Sequence, residues 1–223
     1  MASISQSLFF RTFGNGDAPA IPHDGPRSSM ERRAILALCR SLRPASVIGF
    51  GDHTAGAAEL LLGYCPFVTT YVGIDISHGT RTTLELRVVA EHESPRPLVR
   101  EKVRLFKSPL AVGEGRLRPC DLGGPYGLAF LEGDLSYEGA RRATELARAV
   151  VRPGGVICWR YYFPDSPDIG LTRCIDELNA AEGDRIIAIE GTSFCYEIRD
   201  AAVRQQAQPG RRACDGLTHD GPI

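Results

Sequence analysis

The chain reads as an α/β protein: a mostly parallel sheet of seven strands that ends in an antiparallel hairpin, with helices on both faces. Three observations carry this reading. Short apolar runs at 46–50, 71–74, 103–106 and 128–131 end in glycine or charged residues, as the buried strands of parallel sheets do. Segments with apolar residues at helical spacing alternate with those runs. Two further runs, Arg185-Ile186-Ile187-Ala188-Ile189 and Ser193-Phe194-Cys195-Tyr196-Glu197-Ile198, flank Gly191-Thr192, which is a hairpin signal.

The 223 residues, 43% of them hydrophobic, are enough for one compact domain with a sizeable core and too few for two. We expect that domain at 29–200, preceded by an arm at 1–28 and followed by a disordered tail at 201–223. A net charge of −1 gives no reason to expect nucleic acid or an anionic membrane as partner. Arg141-Arg142 and Arg211-Arg212 are read as solvated faces. No run approaches the ~18 apolar residues that span a bilayer, and no secretory apolar region follows Phe9-Phe10, so the expected location is cytoplasmic. The seven cysteines are scattered and form no Cys-x-x-Cys pair, which argues against a disulfide framework or a metal cluster.

Along the chain, Gly14, Gly16, Pro19, Pro22, Gly25 and Pro26 predict an extended arm. Its Phe9, Phe10 and Phe13 are expected to close over a pocket or to bury in a partner subunit, so a homodimer is one outcome. Ser28 or Ser29 caps a helix through Arg43, with Ile35, Leu38, Cys39 and Leu42 on one face. The strand 46–50, a glycine-containing loop and a helix through Leu62 come next. Tyr71-Val72-Gly73-Ile74 is the second strand and stops at Asp75. Thr80 to Glu91 is read as a helix with Leu84 and Val88 inward, and Val103-Arg104-Leu105-Phe106 as the third strand. Leu128-Ala129-Phe130-Leu131 leads into Glu132-Gly133-Asp134, a helix, and Arg152-Pro153-Gly154-Gly155 before the apolar run Val156-Ile157-Cys158. Leu171, Cys174, Ile175 and Leu178 mark the last helix.

In open sheets of this kind ligands bind beyond the carboxyl ends of the strands, so Glu132, Asp134 and Arg160 are expected to face one crevice. A nucleoside there needs a loop that lets backbone approach and an acid after the next strand to hold ribose hydroxyls. Gly49-Phe50-Gly51-Asp52-His53-Thr54-Ala55-Gly56 and Asp75, about two dozen residues past Gly51, meet both needs. Thr54 stands where a nicotinamide fingerprint puts its third glycine, which disfavours hydride transfer.

The run Glu132-Gly133-Asp134-Leu135-Ser136-Tyr137 resembles the Asp-Gly-Asp-His-Ser-Tyr motif of small-molecule class I S-adenosylmethionine (SAM) methyltransferases, and the resemblance extends over about residues 31–199. It implies a Rossmann-like fold, SAM as cofactor and a small-molecule acceptor methylated at oxygen. Gly49, Gly51, His53, Asp75, Ile76, Ser108, Glu132 and Gly133 would border the cofactor. The chain departs from the family's Glu-x-Gly-x-Gly-x-Gly loop at Gly49, His53 and Ala55. Family members often deprotonate the acceptor with a metal held by carboxylates or with the motif's histidine. Here Arg160 supplies positive charge among the expected ligands and Leu135 replaces the histidine, so no metal is expected. His53, Asp134, Arg160 and Tyr161 are the catalytic candidates, with Tyr162 and Asp165 as further bases. Asp134 is expected to pair with Arg160, Trp159 to pack on a helix, and Tyr161, Tyr162 and Phe163 to form an aromatic wall. Two other readings stay open: a methyltransferase fold repurposed for cyclisation or rearrangement, and a non-catalytic partner subunit.

Overall fold

A computed structural model describes residues 1–14, 26–51, 54–75, 80–86, 103–109 and 118–200. The expected disordered tail from Ala201, as well as His53 and Ile76, lies outside them. The strands are β1 (Ala2–Ile4), β2 (Ser46–Phe50), β3 (Thr70–Asp75), β4 (Thr80–Leu86), β5 (Val103–Pro109), β6 (Tyr126–Leu131), β7 (Val151–Trp159), β8 (Ile186–Ile189) and β9 (Cys195–Ile198). The helices are α1 (Gln6–Thr12), α2 (Pro26–Leu42), α3 (Thr54–Tyr64), α4 (Pro119–Leu122), α5 (Tyr137–Val150) and α6 (Gly170–Glu182). The nine strands among the described residues join one sheet in the order β1-β8-β9-β7-β6-β2-β3-β4-β5.

The centre is the expected parallel set, β3-β2-β6-β7, and β8 and β9 form the expected antiparallel pair. Two strands exceed the count of seven. One replaces a helix: Thr80–Leu86 is β4, antiparallel to both β3 and β5. Threonine-rich, alternating Thr80, Thr82, Leu84 and Leu86 fit a pleated strand better than the i, i+4 pair Leu84 and Val88 fits a helix.

The other is β1, which corrects the reading of the first residues as an extended arm. Ala2–Ile4 pairs parallel with β8, and α1 behind it buries Phe9 completely. Phe9 and Phe13 pack on Tyr196 at ring-centroid distances of 5.8 and 5.5 Å. The phenylalanines leave water within their own chain, so they no longer give a reason to place a partner subunit there. Helix α2 begins at Pro26 rather than at a serine cap.

Alternation along the strands divides the core into two layers. Val47, Tyr71, Leu128, Phe130 and Cys158 face α1, α2 and α3. Ile48, Phe50, Val72, Ala129, Leu131 and Trp159 face α5 and α6. In α5, Ala140, Ala143, Thr144, Ala147 and Val150 recur at helical spacing and are buried, and Ser136 Oγ caps the helix by accepting from Gly139 N–H at 3.0 Å. Trp159 packs on this helix as expected, its indole N–H donating to Thr144 Oγ1 at 2.9 Å.

Candidate functional site

Crossover helices fix where the crevice opens. Helix α3, after β2, covers one face, and α5, after β6, covers the other. The chain therefore leaves adjacent strands β2 and β6 in opposite directions, which opens a gap at their carboxyl ends. The ladder continues past the strand ends and holds this edge in register. Gly51 N–H donates to Ile74 O (2.9 Å), Glu132 N–H to Phe50 O (2.8 Å) and Arg160 N–H to Leu131 O (3.0 Å).

Gly51 and Gly133 form a ridge across the gap. A β-carbon on Gly51 would stand 2.7 Å from Gly133 Cα and N, and one on Gly133 would stand 2.9 Å from Gly51 Cα. Gly51 also has φ +129°, so it must lack a side chain for two reasons.

On the α5 side of the ridge lies a cavity of about 170 Å³, floored by Phe50, Leu131, Ala140, Trp159 and Leu171, with Arg142 at its rim. Asp134 also borders it. The expected ion pair between Asp134 and Arg160 is not formed. Asp134 is exposed, its Oδ1 accepts from Ser136 N–H at 2.8 Å, and it rests on the first turn of α5. The turn that leads into α5 explains the difference: Glu132 and Arg160 continue β6 and β7 onto the α2 side, whereas past Gly133 the chain leaves the strand and carries Asp134 onto the start of α5.

There Arg160 meets two buried acids. Its Nη2 donates to Glu31 Oε2 at 3.1 Å, and its Nη1 stands 4.0 Å from Glu132 Oε2. Ser193 binds the other Glu31 oxygen through its hydroxyl (2.5 Å) and its N–H (3.3 Å). Glu31 thus ties α2 to β7 and to the hairpin. The Arg160 guanidinium lies 4.9 Å over the Tyr161 ring, and Tyr161 itself has φ +68°. That backbone is unusual for a bulky residue and turns the chain at the mouth of the crevice. Tyr71, on the same face in β3, is 1% exposed and its hydroxyl has no partner among the described residues. Burial, and then the charge of Glu132, push its pKa well above the usual tyrosine value.

The remaining sequence-derived residues divide as follows. Gly49 is buried in β2, opposite Gly73 and Phe130. Asp75 ends β3, and Ser108 lies in β5 opposite Arg81; the side chains of both fall outside the described residues. Because β4 intervenes, Ser108 sits two strand spacings, roughly 10 Å, from β3. Tyr162 does not join an aromatic wall: it is buried, donates from its hydroxyl to Asp176 Oδ1 at 2.9 Å, and its phenol is pushed up by burial and by that carboxylate. Asp165 is exposed. The described residues hold no group of three or more His, Cys, Asp or Glu side chains suited to a metal ion. Sequence reasoning missed Glu31, Tyr71 and Ser193. For Glu31 a signal existed, since it continues the stripe of Ile35, Leu38 and Leu42 one turn earlier, which marks an acid turned toward the core.

Compared with known protein families and with curated proteins, the chain matches none. Among solved structures it is similar to the MycE methyltransferase from the mycinamycin biosynthetic pathway, a structure in complex with Mg and SAH. The TM-score is 0.44 at 11% identity, over 94% of this chain and 58% of that one. The chain thus spans little more than half the length of that protein.

Proposed function

We propose that this protein is a SAM-dependent methyltransferase that acts on a small molecule at oxygen, without a metal. The observation that carries the reading is the Gly51–Gly133 ridge, a close backbone approach at the point where strand order reverses. The fold's ligand edge is there, and the resemblance of residues 132–137 to a methyltransferase motif supports the choice of cofactor. The residues suit such a group: a bare backbone ridge, an apolar floor of Phe50 and Trp159 for a flat base, and an aspartate ending β3.

When bound, SAM supplies a methyl group on a sulfonium; the carbon–sulfur bond breaks as the carbon–oxygen bond forms, and the acceptor loses its hydroxyl proton. In this reading Asp75 would hold the ribose hydroxyls of the cofactor, and Ile76 and Ser108 would border it. Gly49, Gly51 and Gly133 let backbone approach, and Glu132 borders the acceptor side. Arg160 and Tyr161 orient the acceptor, and His53 or Asp134 takes the proton. A cytoplasmic location fits this role, and no described helix is long and apolar enough to cross a membrane.

A second reading keeps fold and pocket but loses methyl transfer. It is favoured by Asp134 being engaged in a turn and Tyr162 by Asp176, which leaves fewer free bases. Incubation with methyl-labelled SAM and a fractionated metabolite extract separates the two. Label is expected in a small-molecule fraction, in equal amount with and without EDTA. No transfer would overturn methylation, and transfer abolished by EDTA would overturn its independence of metal.

A further inference from the structure

The geometry points to an acceptor site on the α2 side of the Gly51–Gly133 ridge, one that takes an uncharged hydroxyl of a small molecule among Tyr71, Arg160 and Glu132. It rests on the methyltransferase reading and names where the acceptor's polar group binds and what charge it carries.

Two buried polar atoms there have no partner among the described residues: Tyr71 Oη and Arg160 Nε. Native interiors satisfy nearly all such groups, and each one left over costs stability. Both belong to residues around Glu132, which stands 4.0 Å from Arg160 Nη1 and whose charge is felt by the Tyr71 phenol. Gly49 and Gly73, paired in register, follow Val47 and Tyr71 on the same face. At that level neither β2 nor β3 puts a side chain on the face directly beyond Tyr71. Arg160 is the exposed member of the group, with 27% of its side chain open, and forms the entrance.

The chemistry of these atoms selects the ligand. Arg160 Nε–H can only donate, and Tyr71 Oη–H stays protonated, so the guest must offer an oxygen lone pair. A carboxylate or phosphate could do so but would face Glu31 and Glu132, both at most 5% exposed. An ammonium has no lone pair to give and would face Arg160. A neutral hydroxyl accepts from Arg160 Nε–H and Tyr71 Oη–H and donates its own proton to Glu132.

The test is saturation-transfer NMR on the full chain with SAH present, using two probe series of matched size: methyl glucoside, glucuronate and glucosamine; and catechol, benzoate and benzylamine. Neutral members are expected to bind in the millimolar range and charged ones at least about tenfold more weakly. Tyr71→Phe should weaken the neutral probes about tenfold while raising the melting temperature of the ligand-free protein by a few degrees, because it removes a buried hydroxyl without a partner among the described residues. Equal binding of charged probes, no binding of neutral ones, unchanged affinity in Tyr71→Phe, or a lowered melting temperature would each overturn the proposal. The last would mean that a resident water satisfies the hydroxyl. Wild-type protein that binds SAH but no neutral probe refutes this site alone; protein that binds neither refutes the cofactor reading as well.

Discussion

Gly51→Ala is expected to lower the unfolding free energy by about 3 kcal/mol or more and to abolish SAH binding. Two penalties combine. An alanine at φ +129° is strained by about 1–3 kcal/mol, and its β-carbon would overlap backbone atoms of Glu132 and Gly133 at 2.7–2.8 Å. Backbone cannot swing aside as a side chain can, so β2 and β6 must separate at the edge where the ligand is proposed to lie. Gly183→Ala is the control. Gly183 has φ +75° but nothing within 4 Å of an added β-carbon, so it carries strain without overlap and should cost about 1–2 kcal/mol, with SAH binding intact. Urea unfolding and calorimetry on both variants check this. Equal effects at the two glycines would show that the ridge is not tightly closed.

Glu197→Ala is expected to cost about 3–5 kcal/mol, a large part of a typical domain's stability. Glu197 in β9 is 1% exposed and serves two arginines. Its Oε2 accepts from Arg148 Nε at 3.0 Å and Nη2 at 2.6 Å, and its Oε1 accepts from Arg199 Nη1 at 2.9 Å. Arg148 also binds Glu182, which ties α5, α6 and β9 together. Removing the central carboxylate would leave Arg148 with Glu182 and take from Arg199 the acid it pairs with, and uncompensated buried charge is what makes such deletions severe. Glu145→Ala breaks an exposed pair with Arg141 and should cost less than about 1 kcal/mol. Denaturant midpoints for the two variants give the comparison directly. Similar midpoints would mean that the Glu197 network is open to water.

Which parts of the molecule were legible in sequence follows from the range of the interactions that fix them. The parallel centre was legible because Val47-Ile48, Val72 and Ile74, Leu128-Ala129-Phe130-Leu131 and Val156-Ile157-Cys158 are buried on both faces, and burial writes itself as an unbroken apolar run. The terminal hairpin was legible for the same reason, with Gly191 at positive φ in its turn. Thr80–Leu86 was misread because a helical pair outweighed a period of two. β1 was missed because a three-residue strand gains its place by pairing with Ile187–Ile189, far along the chain. At the site, the strand-end residues Gly51, Glu132 and Arg160 were legible, since strand ends define the edge. Their partners were not. Arg160 takes Glu31 rather than Asp134 because the chain leaves β6 after Gly133 and turns Asp134 onto α5, and no local pattern encodes a contact between residues 31 and 160.

The central claim, a nucleoside cofactor held across the carboxyl edge and gripped at the end of β3, is tested most directly by calorimetric titration of SAH into wild-type protein and Asp75→Ala. The account predicts one site per chain in the wild type, and binding weakened at least about tenfold in the variant, as the loss of charged hydrogen bonds to the ribose requires. Wild-type protein that takes up no SAH, or Asp75→Ala that binds it as tightly as wild type, would contradict the claim.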